Sequence, residues 1–164
     1  MAFTERRGDC VPYIICVLLI ILSFIFRKSK VLAACVALFM WTLGAFNYYN
    51  PDYGTYVRAY NNFASANTIK LEIGFNLVCR FFNSLHLPYN YALGFMLGIS
   101  MLLLYMFFIK MSSYPAMAMA LYMIFCSSDS VQIRNLVMYS IVAYATCFIC
   151  DSKERKTPLV RSAR

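Results

Sequence analysis

Three short segments carry the residues of this chain that could take part in chemistry. Asp52 lies in the first segment, Glu72 in the second and Arg134 in the third. A carboxylate can accept the proton of a hydroxyl group, and the planar fork of an arginine matches the oxygens of a phosphate. The ordinary interpretations are that Asp52 stabilises the first turn of a helix and that the Arg134 side chain reaches toward lipid headgroups.

The first segment predicts the start of a helix that carries tyrosines on one face. Asn50 is a favoured N-cap residue, and Pro51 suits the first helical position. Tyr53, Tyr56 and Tyr60 follow at helical spacing. Such tyrosines usually form an aromatic belt at the membrane interface. The alternative is a platform on which sugar rings stack.

The second segment predicts an amphipathic helix over 71–87, either in the outer interface or half-buried against the spans. Its polar arc contains Glu72, Arg80 and the single histidine, His86. This arc is either solvated or turned into a cleft. A lone histidine does not make a metal site.

The third segment separates the last two apolar runs. Asp129 and Gln132 resemble a capping box, so we expect Arg134 in the opening turns of the last helix. A helix N-terminus offers unpaired N–H groups and a positive dipole end, which favour anions. The chain contains no motif for nucleotide, flavin, haem or zinc binding.

The composition places these segments in a membrane protein. The 164 residues are 62% hydrophobic and 13% charged, whereas soluble domains are about 45–50% apolar and about 25% charged. This excludes an ordinary soluble enzyme, a disordered tail and a secreted disulfide scaffold. The net charge of +8 comes from cations clustered beside apolar runs, a pattern of membrane anchors rather than of nucleic-acid binding. The cysteines are interpreted as packing groups.

The apolar runs predict an all-α fold, a polytopic transmembrane helical bundle of about five spans with an outer amphipathic helix. We expect one integral-membrane domain over 1–150 and a basic cytoplasmic tail over 151–164. The spans are expected near 10–26, 31–49, 89–109, 111–126 and 133–150, with 47–88 as the outer segment.

The distribution of lysine and arginine predicts the N-terminus outside and the C-terminal tail inside. With this topology, the basic turn after the first span and Lys110 face the cytoplasm. Charge inside a membrane is costly and usually faces a cavity or a substrate path. The topology gathers six charged residues on the outer face: Asp52, Arg58, Glu72, Arg80, Asp129 and Arg134.

Three motifs in order resemble the EpsG family of Wzy-like exopolysaccharide polymerases, and the similarity covers about residues 10 to 150. Family members are usually longer, so we expect this chain to correspond to the N-terminal half of one, from a truncated or frameshifted gene or a split system. The motifs are Tyr49-Asn50-Pro51-Asp52-Tyr53-Gly54-Thr55-Tyr56, Glu72-Ile73-Gly74-Phe75-Asn76 and Gln132-Ile133-Arg134-Asn135.

The resemblance implies a polymerase that joins polyprenyl-diphosphate-linked oligosaccharides on the outer face of the bacterial cytoplasmic membrane, in exopolysaccharide, capsule or O-antigen synthesis. It implies that Arg134 contacts the diphosphate and that Asp52 or Glu72 accepts the proton or orients an arginine. It implies substrate-binding roles for Tyr53, Tyr56, Arg58, Arg80 and Asn135.

The implied partners are the lipid-linked oligosaccharide, the bilayer and other polysaccharide-assembly proteins, with no nucleic acid, no metal and no cofactor. The alternative is a non-catalytic polytopic membrane protein, such as a scaffold, a transport subunit or an assembly subunit.

Overall fold

The computed structural model describes residues 6–46, 53–61, 73–129 and 133–156. Within these ranges every regular element is an α-helix, which confirms the all-α prediction. The helices are α1 (Arg6–Ile25), α2 (Lys30–Ala45), α3 (Tyr53–Asn61), α4 (Ile73–Ser84), α5 (Tyr89–Met111), α6 (Pro115–Asp129) and α7 (Ile133–Lys156).

In the described part of the chain, one helix is long and apolar enough to cross a membrane. This helix is α5, with 23 residues and a mean hydropathy of 2.3 over 18 of them. At 1.5 Å per residue it is about 35 Å long, compared with a hydrocarbon core of about 30 Å. The other apolar stretches are shorter helices, over Val11–Ile25, Lys30–Ala45, Pro115–Ile124 and Asn135–Cys150.

Large apolar side chains cover the outer faces of several helices. On α1, Ile14 is 65% exposed and Leu18 is 55% exposed, and Val142 on α7 is 57% exposed. Burial of such side chains is what normally drives folding in water. Their outward placement fits a protein whose surroundings are lipid.

The centre of the bundle is α5, which packs against α2, α4, α6 and α7. Small residues allow α2 and α5 to approach closely, as is common between membrane helices. A Cβ atom at Gly44 would lie 2.9 Å from Leu97 Cδ1, and one at Gly94 would lie 3.6 Å from the Ala45 Cβ. Val36 and Leu93 are buried in this core.

The boundary between α5 and α6 differs from the predicted spans. The third span was predicted to end at 109 and the fourth to begin at 111, whereas α5 ends at Met111 and α6 begins at Pro115. Proline lacks the N–H needed inside a helix but suits the first helical turn. The last helix extends over Ile133–Lys156, whereas the expected span was 133–150.

Several predicted cytoplasmic cations lie together at one end of the bundle, which we call the basic end. The Ala116 N–H donates to the Arg27 carbonyl oxygen at 3.2 Å, and the Arg27 guanidinium lies 4.7 Å from the Tyr114 ring centroid. Lys110 Nζ lies 5.1 Å from the Phe148 ring centroid. Helices α3 and α4 lie at the opposite end of α5, next to Tyr89.

Candidate functional site

Four tyrosines form a compact group at the end of the bundle opposite the basic end. The tyrosine cluster consists of Tyr53, Tyr56 and Tyr60 from α3 and Tyr89, the first residue of α5. The centroid of the Tyr89 ring lies 5.8 Å from that of Tyr53, 6.4 Å from that of Tyr56 and 5.6 Å from that of Tyr60. The helical spacing that sequence analysis identified therefore gives α3 one aromatic face, and that face packs on α5.

Most of the tyrosine cluster is buried, which neither interpretation of the α3 tyrosines anticipated. The exposed fractions are 9% for Tyr56, 3% for Tyr60 and 4% for Tyr89. The Tyr56 and Tyr89 rings stack with an interplanar angle of 13°. Their ring faces contact protein rather than lipid, so they pack the end of the bundle opposite the basic end.

Hydrogen bonds from the tyrosine cluster join three segments. The Tyr60 hydroxyl donates to the Leu87 carbonyl oxygen at 2.7 Å, and Asn83 Nδ2 donates to the Tyr60 carbonyl oxygen at 2.8 Å. The Tyr53 hydroxyl donates to Asn90 Oδ1. These bonds tie α3 to the end of α4 and to the start of α5.

The Tyr89 hydroxyl differs from those of Tyr53 and Tyr60. Its oxygen is buried, and within the described residues it has no hydrogen-bond partner. An unsatisfied buried polar group costs about 1–3 kcal/mol, so such a group usually has a reason to be retained. A hydroxyl in this state can bind a polar ligand or a water molecule.

The lone histidine has a structural place at the end of α4. His86 has a φ angle of 56°, in the left-handed region. Its N–H donates to the Asn83 carbonyl oxygen at 2.9 Å, and the Leu87 N–H donates to the Phe82 carbonyl oxygen at 3.2 Å. This pair of bonds is a Schellman motif, which satisfies the last carbonyl groups of a helix. His86 therefore ends α4 and turns the chain toward α5.

Cys79 of α4 is fully buried beside the tyrosine cluster. Burial raises the pKa of its thiol to about 12. The pKa of Tyr60 is also raised, first by burial and then by the nearby Cys79. Both groups are neutral at physiological pH, and a buried neutral thiol is a poor nucleophile.

The two predicted carboxylates, Asp52 and Glu72, lie outside the described residues. The helices that follow them directly are described: α3 begins at Tyr53 and α4 begins at Ile73. The first turns of these helices are neighbours, because the Tyr56 and Phe75 ring centroids are 5.5 Å apart.

The predicted arginines occupy three different helices. Arg58 is exposed in the last turn of α3, and Arg80 is exposed on α4. Arg134 lies in the first turn of α7, where the described side chains begin at Asn135, which is half-buried.

Arg134 lies near the end of α7 that is farther from the basic end. Lys110 contacts Phe148 at the basic end, and α7 extends from there back to Ile133. At 1.5 Å per residue, the backbone of Arg134 is about 21 Å along α7 from Phe148.

A cavity that sequence analysis did not predict runs along α5 beside α2. It has a volume of about 820 Å³. We call it the α2–α5 groove; its principal lining residues are Trp41, Phe46, Gly94, Gly98, Ile99 and Leu102. Asn90, which accepts the hydrogen bond from Tyr53, also lines it.

The signals for the missed residues were weak in the sequence. The single tryptophan, Trp41, and the pair Gly94 and Gly98 are the features that could have indicated the α2–α5 groove. Tyr89 and Asn90 follow Pro88 at the start of the longest apolar run, but nothing local shows that they face α3. Within the described residues, no group of three His, Cys, Asp or Glu side chains could hold a metal ion.

Comparison with known proteins identifies one relationship. The model of the EpsG family matches residues 30–160, which include all three motifs. Neither the curated proteins nor the solved structures contain a match to the chain.

Proposed function

The chain belongs to the EpsG family, and on that premise we propose that it acts in polysaccharide synthesis as a membrane polymerase of lipid-linked repeat units. In the proposed reaction a hydroxyl group of the incoming unit attacks the anomeric carbon of the growing chain. The bond from that carbon to the diphosphate oxygen breaks, and polyprenyl diphosphate leaves. The hydroxyl proton passes to a carboxylate.

The observation that carries this proposal is the contact between the first turns of α3 and α4. Asp52 directly precedes α3 and Glu72 directly precedes α4, and Tyr56 contacts Phe75 between the two turns. This contact supports the proposal that both carboxylates serve one site. One of them accepts the proton, and the other orients an arginine.

The buried hydroxyl of Tyr89 supports a polar ligand at the same place. It lies inside the tyrosine cluster without a hydrogen-bond partner in the described part of the chain. Saccharides are rich in hydroxyl groups that donate and accept hydrogen bonds. We therefore assign Tyr89 to saccharide binding, together with Tyr53 and Tyr56.

The proposed role of Arg134 is to stabilise the diphosphate as it leaves. Its position in the first turn of α7 adds the positive end of a helix dipole to its own charge. In the proposed arrangement the diphosphate lies beside this first turn. Arg58 and Arg80 are proposed to assist with the substrate from the exposed surface, and Asn135 from the same turn as Arg134.

The test is a comparison of two arginines on α7. In a host strain that depends on this chain for polymer, we expect Arg134→Ala to leave single repeat units on the lipid carrier and Arg134→Lys to restore part of the chain length. Arg155→Ala, near the other end of the same helix, is the control and should leave polymer length unchanged. Long polymer from Arg134→Ala at normal protein level would remove Arg134 from the reaction.

A second comparison separates catalysis from a structural role. Asp52→Asn and Glu72→Gln keep the side-chain shape, and Glu154→Gln is the matched control. The residue that accepts the proton should lose nearly all activity, since general base catalysis typically contributes about 10²–10⁴-fold. If both variants and Arg134→Ala make normal polymer, the chain is a non-catalytic membrane subunit.

A further inference from the structure

We propose that the α2–α5 groove holds the isoprenoid chain of the lipid-linked saccharide. This inference rests on the proposed function, because it assigns a place to the hydrocarbon part of that substrate. Three properties of the groove carry it: its shape, its floor and its mouth.

The shape of the α2–α5 groove suits a long chain. Its volume of about 820 Å³ lies within the range of about 300–1,000 Å³ that is usual for ligand pockets. Along α5 the lining extends from Pro88 to Leu102, which corresponds to about 21 Å of helix. That length is about two thirds of a hydrocarbon core of about 30 Å.

The floor of the groove is mostly apolar, and Gly94 and Gly98 let the Trp41 side chain lie directly on the backbone of α5. Because residue 98 is glycine, the Trp41 indole lies close to the α5 backbone. A Cβ atom added to Gly98 would lie 3.2 Å from Trp41 Nε1. Trp41 Nε1 therefore reaches the Gly94 carbonyl oxygen and donates to it at 2.7 Å. With the indole N–H satisfied, a hydrocarbon chain can cover this floor without leaving that donor unpaired.

The mouth of the groove adjoins the candidate site. Asn90 lines the groove and also accepts the hydrogen bond from the Tyr53 hydroxyl. A lipid whose chain lies along α5 thus presents its head beside the tyrosine cluster. This continuity favours the lipid on which the proposed reaction acts over a phospholipid of the surrounding bilayer.

The single tryptophan makes occupancy of the groove measurable. In nanodiscs of bromine-labelled phospholipid, the bromines should quench Trp41 fluorescence through the groove. Adding unlabelled polyprenyl diphosphate should displace the bromolipid and restore the fluorescence. We expect several-fold more recovery than from the same amount of unlabelled phospholipid.

Matched variants test whether the recovery of Trp41 fluorescence arises from lipid bound in the groove. Leu102→Phe fills the groove at a position that is 51% exposed, and Leu38→Phe makes the same change at an α2 leucine that is 59% exposed and does not line the groove. Leu102→Phe should abolish the recovery specific to polyprenyl diphosphate, and Leu38→Phe should retain it. Ile99→Phe, tested separately, should repeat the Leu102→Phe result, with circular dichroism showing that each variant folds.

Four results would overturn the proposal. Equal recovery with both lipids would mean that bulk phospholipid fills the groove. No quenching in the unmodified chain would mean that a protein segment or a second copy covers it. Recovery that survives Leu102→Phe would place the polyprenyl chain elsewhere, and quenching without any recovery on addition of polyprenyl diphosphate would mean that this lipid does not enter the groove.

The assay does not require polymer formation, so its failure is distinct from failure of the proposed function. If the chain makes polymer but polyprenyl diphosphate gives no specific recovery of Trp41 fluorescence, the groove proposal is wrong and the polymerase proposal stands. If Trp41 fluorescence recovers specifically while Arg134→Ala and both carboxylate variants make normal polymer, the lipid site stands and the polymerase proposal is wrong.

Discussion

Tyr89 and Tyr60 are both buried tyrosines, but their hydroxyl groups differ. Tyr60→Phe removes a donor to the Leu87 carbonyl oxygen and should cost about 1 kcal/mol of stability. Tyr89→Phe removes a hydroxyl with no hydrogen-bond partner in the described part of the chain, so stability should stay the same or rise. If Tyr89 binds saccharide, its variant should still shorten the polymer.

The Tyr60→Phe and Tyr89→Phe variants are compared by thermal unfolding in detergent and by polymer length in cells. Tyr139→Phe, at an exposed position on α7, is the control for both measurements. A Tyr89→Phe protein that makes polymer of normal length would contradict the assignment of this hydroxyl to the substrate.

The buried thiol of Cys79 predicts a stability change at high pH. In the unfolded chain the thiol ionises near its ordinary pKa of 9.0, whereas in the folded protein burial raises the pKa to about 12. The folded state therefore favours the neutral form. The contribution of this buried thiol to the free energy of unfolding is complete below about pH 9 and is lost as the pH rises toward about 12.

Alkylation measures this effect in a variant that retains Cys79 alone. Its reaction with a maleimide should stay slow below about pH 9 and accelerate as the end of the bundle that holds the tyrosine cluster opens. A variant that retains the exposed Cys150 alone is the control and should react readily without such opening. Equal rates at the two positions at neutral pH would show that Cys79 is not buried.

At the scale of elements, Gly98 is one of the small residues on which the contact between α2 and α5 depends. Gly98→Ala places a Cβ 3.2 Å from Trp41 Nε1, so the indole must move and its hydrogen bond to Gly94 should weaken. Gly74→Ala is the matched control because its Cβ would meet nothing within 4 Å. We expect Gly98→Ala to be about 1 kcal/mol less stable than Gly74→Ala.

Trp41 fluorescence also reports on this contact. The emission maximum should shift in Gly98→Ala and stay unchanged in Gly74→Ala. An unchanged spectrum in both variants would mean that α2 and α5 approach less closely than the structure shows.

The sequence was sufficient to predict the helices but not their contacts. Continuous apolar runs and the spacing of Tyr53, Tyr56 and Tyr60 indicate helices because both are local patterns. The partner of these tyrosines, Tyr89, lies far along the chain, so no periodicity reveals it. The α2–α5 groove depends in the same way on Trp41 meeting Gly94 across a separation of 53 residues.

At the scale of the whole molecule, the two ends of the bundle predict opposite sides of the membrane. Thr55 in α3 and Ser113 between α5 and α6 are exposed at the tyrosine cluster and the basic end respectively. With the N-terminus outside, Thr55→Cys should react with a membrane-impermeant thiol reagent in intact cells. Ser113→Cys should react after the membrane is permeabilised.

Both variants are made in a cysteine-free background, and labelling in permeabilised cells is the control for accessibility. Labelling of both positions in intact cells would contradict the separation. Labelling of Ser113→Cys alone would reverse the proposed orientation and place the tyrosine cluster on the cytoplasmic side.

The unequal lengths of the apolar helices have a consequence for the bilayer itself. At 1.5 Å per residue, α2 is about 24 Å long and α6 about 22 Å, whereas α5 is about 35 Å. The apolar stretches of α1 and α7 are also shorter than α5, so hydrophobic mismatch falls on the helices that surround α5. Lipids there must thin or α5 must tilt, and a thinned bilayer would shorten the path of a bulky headgroup between the leaflets.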